Sequence, residues 1–113
     1  MKTPVKFEIA KLLKEKGLDI EKQNFYNSHG QLNTDIEDFF IPRYEAPTIA
    51  EVVMWLYEKH GIWVDVVLSR NRKQFTFMIQ SLGFDEDKFL NEYYNSPTEA
   101  YEAAIIYTLK ILI

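Results

Sequence analysis

The 113-residue chain is 47% apolar and 27% charged, which excludes a disordered polymer and suits a single domain over residues 1–113. It has no cysteine, which excludes disulfides, thiolate metal sites and thiol chemistry. A net charge of −4 argues against a generic nucleic-acid binder, whose affinity comes largely from neutralising phosphates.

The first predicted element is a helix over residues 4–16. Thr3 suits the cap, and Pro4 suits the first turn, where a backbone N–H is not needed. Val5, Ile9, Leu12 and Leu13 form a stripe at helical spacing, with Phe7 on the charged side. Gly17 is placed to end the helix in the left-handed conformation. Next, Asn24-Phe25-Tyr26 runs into the turn-forming Asn27-Ser28-His29-Gly30 and then Gln31-Leu32, the pattern of a short hairpin. Residues 36–44 read as extended, with Pro42 at an edge or bend, and are expected to supply a third strand to the sheet described next.

The strongest signals follow. Thr48 and Glu51 have capping-box spacing before a helix over 49–60, and Gly61 stops it. Ile49, Val52, Val53, Leu56 and His60 share its predicted core face, while Met54 and Trp55 flank the glutamates. Residues 62–68 and 74–80 alternate with a period of two, as in a half-buried antiparallel hairpin. Ile62, Val64, Val66 and Leu68 alternate to one side, with Phe75, Phe77 and Ile79 on the return strand, and Trp63, Val67 and Met78 point outward. The segment 85–94 fits a helical turn or a packed loop. Ser96-Pro97-Thr98-Glu99 then starts a last helix over 97–111. The fold class is α+β: a small antiparallel sheet packed against helices 49–60 and 97–111, with the N-terminal helix beside them.

No stretch carries a nucleophile elbow, a phosphate-binding glycine loop, a dinucleotide fingerprint or a metal-ligand pattern. The reading is therefore not an enzyme, with no catalytic residue, no metal and no cofactor. His29 and His60 read as a turn residue and a helix-end cation. The acidic groups Asp35, Glu37, Asp38 and Asp85, Glu86, Asp87, Glu92 lack the glycine and spacing of a calcium loop and read as solvated. Arg70, Arg72 and Lys73 place three positive charges at the hairpin tip, a candidate contact for an anion or nucleic acid, although a soluble turn explains them as well. Apolar surplus is the more informative feature. Trp55, Trp63, Ile106, Leu109 and Ile113 all fall outside the single core faces and form the candidate partner surface. Helix 4–16 has a stripe that fits the exposed side of the last helix, and a homodimer is the alternative cover.

Residues 46–113 carry Ala46-Pro47-Thr48, then Trp55-Leu56-Tyr57-Glu58-Lys59-His60-Gly61-Ile62, then Tyr94-Asn95-Ser96-Pro97-Thr98-Glu99-Ala100-Tyr101-Glu102-Ala103-Ala104. In these stretches the chain resembles small uncharacterised proteins encoded in Bacteroidetes phages and prophage-like elements. The resemblance implies a fold and an origin, and no functional residue. The helix-strand-strand-helix order is also similar to double-stranded-RNA-binding domains. Those carry a lysine cluster where this chain has Ser96-Pro97-Thr98-Glu99, so the likeness implies no RNA binding here. The expected role is a non-enzymatic interaction or accessory protein with an unknown protein partner. The alternative is weak nucleic-acid binding through the tip 70–73. The N-terminus alternates charged and apolar residues and offers no signal peptide, and no apolar run spans a bilayer, so the expected compartment is the cytoplasm.

Overall fold

The computed structural model describes residues 4–18, 24–33, 44–69, 73–81 and 92–113. The elements are helix α1 (Phe7–Glu15), strands β1 (Phe25–Tyr26) and β2 (Tyr44–Glu45), helix α2 (Ile49–His60), strands β3 (Ile62–Leu68) and β4 (Phe75–Ser81), and helix α3 (Pro97–Tyr107). A π-helical turn, Thr108–Leu112, prolongs α3. The chain is α+β, with two separate antiparallel pairs, β1–β2 and β3–β4.

Local signals account for the region from Thr48 onward. The Thr48 hydroxyl accepts from the Glu51 N–H, and the Glu51 carboxylate accepts from the Thr48 N–H at 3.1 Å, so two orphan donors of the first turn are satisfied. Gly61 takes φ +65, a left-handed conformation that costs a residue without a Cβ nothing, and the chain turns directly into β3. The hairpin pairs Ile62 with Ser81 through Leu68 with Phe75. Its inward residues Ile62, Val64, Phe77 and Ile79 are buried beneath α2 and α3. At α3, Ser96 accepts from the Glu99 N–H, and the Glu99 carboxylate reaches back to the Asn95 N–H rather than to Ser96.

The described end of the expected third strand belongs to the other sheet. Tyr44, the described end of 36–44, pairs with Tyr26 in the other sheet, and residues 36–43 lie outside the described residues. The outer side of β4 is met instead by Tyr94. Phe75 N–H donates to the Tyr94 carbonyl at 2.8 Å and Tyr94 N–H to the Phe75 carbonyl at 2.7 Å. The sequence 92–94 has no strand period, because a single bridging residue needs none.

The N-terminal region is built differently. Pro4 forms an antiparallel bridge with Thr48, and Val5 N–H donates to the Pro47 carbonyl at 2.9 Å, so the helix starts at Phe7 and not at residue 4. Pairing to the Pro47 segment takes the backbone groups that a helical turn would have used. The end matches expectation. Leu18 N–H bonds to the Leu13 carbonyl and Gly17 N–H to the Lys14 carbonyl, with Gly17 at φ +86, which is a Schellman ending. In the loop 24–33, asparagines replace a regular ladder. The buried Asn27 side chain accepts from the N–H groups of His29 and Gln31, and Asn33 accepts from the Phe25 N–H. The expected hairpin reduces to a Tyr26–Leu32 bridge, and Tyr26 also pairs with β2.

A single core joins the two regions. Val5, Ile9 and Leu13 of the N-terminal segment are buried in one cluster with Val52, Leu56, Phe77, Ile79, Ile105 and Leu109. Helix α1 lies against α3 and its π-helical extension, which is the intramolecular docking the two stripes predict. Ion pairs frame this contact: Lys6 to Glu102 at 2.9 Å, and Lys110 to Glu8 at 3.4 Å. The Lys110–Glu8 pair is exposed on both sides and contributes little, typically under about 1 kcal/mol, whereas the Glu102 carboxylate is mostly covered; burial of the apolar stripe is the main hold on α1.

Candidate interaction surface

The five residues singled out for a partner surface have different fates. Leu109 is fully buried, in the π-helical turn that packs against α1, which removes it from any surface of the folded chain. Ile106 and Ile113 are half-buried against the same cluster. Trp55 is also buried, at 4% exposure, which corrects its placement beside the glutamates. Helix α2 buries Ile49, Val52, Val53, Trp55 and Leu56, an arc wider than one stripe. His60, expected on the core face, is exposed, and its ring meets Trp55 edge-on with centroids 5.0 Å apart. The Trp55 indole N–H has no acceptor among the described residues.

Trp63 alone of the five lies open, at 39% exposure. The two-residue period of β3 turns it away from the core, opposite Gln80. The tight turn at Gly61 brings it back beside the end of α2. There Tyr57 packs against it edge-to-face, with centroids 5.7 Å apart, the geometry that aromatic quadrupoles favour. Tyr57 is itself 54% exposed, and Met54, one helical turn earlier, is 45% exposed. Further along β3, Val67 is exposed as its period predicts, and Leu68, expected on the inward side, is exposed as well at the end of the strand. A Trp, a Tyr and a Met brought together on a surface have the composition of interface hot spots. The sequence pointed to Trp63 and Met54 through the strand and helix periods, but not to Tyr57, which joins Trp63 through the turn at Gly61.

The basic tip divides at the limit of the described residues. Lys73 is exposed, and Arg70 and Arg72 lie outside the described residues. Of the acidic groups, Asp35, Glu37, Asp38, Asp85, Glu86 and Asp87 also lie outside them, while the Glu92 carboxylate accepts from the Tyr94 hydroxyl at 2.9 Å.

A second aromatic group, not foreseen in the sequence, lies at the N-terminal region. Phe7 packs on Tyr26 and Tyr44 with centroids 5.4 and 5.5 Å apart. Lys11 and Lys14 extend their ammonium groups over the Phe7 and Tyr44 rings. Phe7 looks exposed on a helical wheel because the stripe of α1 covers only its contact with the last helix. The loop 24–33 and strand β2 occupy the other side. The Tyr26 hydroxyl donates to the Val5 carbonyl at 2.7 Å, which ties this group to the strand-like entry of the chain.

Among the described residues, three tyrosines and one lysine have shifted values. Burial pushes the Tyr94 phenol up to about 12, helped by its hydrogen bond to the Glu92 carboxylate. Burial also raises Tyr26 and Tyr101. The Lys6 ammonium is held above its ordinary value by its hydrogen bond and charge contact with Glu102. Each of these shifts favours the form already present at neutral pH. Among the described residues, no three histidines or carboxylates converge on a metal-sized site, and no helix is long and apolar enough to cross a membrane. Comparison with family models, with curated proteins and with solved structures finds no match.

Proposed function

We propose that this chain is a non-enzymatic protein-interaction or accessory protein of a phage or mobile element, with the Tyr57–Trp63 surface as its contact. The exposed edge-to-face pair of Tyr57 and Trp63, flanked by Met54, carries the proposal. Large aromatics left half-open to water forfeit about half of a burial worth roughly 1.5–3 kcal/mol for a whole apolar side chain, which a partner would recover. The phage origin rests on the resemblance of residues 46–113, and the compartment that goes with it is the cytoplasm, in keeping with a chain free of cysteine.

A photo-crosslinking side chain placed at position 63 tests this in the native host. The expected result is a discrete protein adduct at 63 that is absent when the probe replaces the exposed Lys59. Equal labelling at both positions, or no protein adduct at 63, would contradict the proposal. Adducts to nucleic acid instead would reject it in favour of a nucleic-acid role.

A further inference from the structure

We draw no further inference here: the strongest candidate, the exposed side chains Val67 and Leu68 at the end of β3, is an apolar patch, and nothing in the structure shows what covers it.

Discussion

Residues 48–113 and residues 4–47 reach the same core by different means. The first stretch is written in local signals: a reciprocal cap at Thr48 and Glu51, a left-handed Gly61, a period of two through the hairpin, and Ser96-Pro97 before α3. The second is held by contacts that have no period. Val5 pairs with Pro47, Tyr26 bonds to Val5, asparagines tie the loop 24–33, and Phe7 fills the space between Tyr26 and Tyr44. An element specified by its own sequence can be read in isolation, whereas one specified by its neighbours becomes visible only when they are in place.

The largest test of this difference is at the contact between the two regions. Leu13→Ala and Leu109→Ala each remove a fully buried aliphatic group from the shared cluster, one from each side, and each should cost about 2–5 kcal/mol in urea melts. Ile111→Ala, at a position 64% exposed, should cost little. If Leu13→Ala is as mild as Ile111→Ala, α1 is not part of the core and the two regions are independent.

Gly30→Ala probes the N-terminal contacts alone. Gly30 lies at φ +78, and an added Cβ would come within 2.9 Å of the Phe7 ring, which is itself wedged against two tyrosines. Strain and displacement together should cost more than about 1 kcal/mol. Gly17→Ala meets open space and carries only the backbone penalty, so it should be the milder change. Equal losses would mean that the aromatic group at Phe7 adds nothing. On the other side of the comparison, Thr48→Ala should cost about 0.5–2 kcal/mol through the lost cap.

Alkaline titration gives a smaller effect. The folded Tyr94 titrates near 12, above the ordinary tyrosine value of 10.0, so its contribution to stability is complete below pH 10 and is lost as the pH rises toward 12. Phenolate absorbance should show a late-titrating group that disappears in Tyr94→Phe. That variant keeps the ring stacked on Phe77 and loses only the bond to Glu92. Unchanged late titration in the variant would show that another phenol is responsible.

The fold was legible where the chain carries its own punctuation. Helix 49–60, strand 62–68 and the starts of both capped helices follow from residue type and spacing, and the return strand is displaced by one residue, to Phe75–Ser81. The start of α1 was not legible, because Pro4 is equally at home in a first helical turn and in an extended bridge, and only the Pro47 carbonyl decides between them. The pairing of Tyr94 with Phe75 leaves no trace in a window that lacks alternation. The candidate surface was half legible. Strand period alone turned Trp63 outward. Helix period could not place Trp55, because a helix with apolar residues on several sides does not reveal which of them its neighbours cover. Leu109 shows the same limit, since it is buried in a cluster that draws Val5, Ile9 and Leu13 from the opposite end of the chain.

The contrast between the two tryptophans therefore carries the account. Collisional quenching of fluorescence in Trp55→Phe and Trp63→Phe, each with a single indole left, tests it most directly. Trp63, on the open surface with Tyr57, should emit to the red and be quenched readily by iodide, while Trp55, at 4% exposure, should emit to the blue and resist it. An equally accessible Trp55, or a Trp63 protected in the isolated protein, would contradict the account.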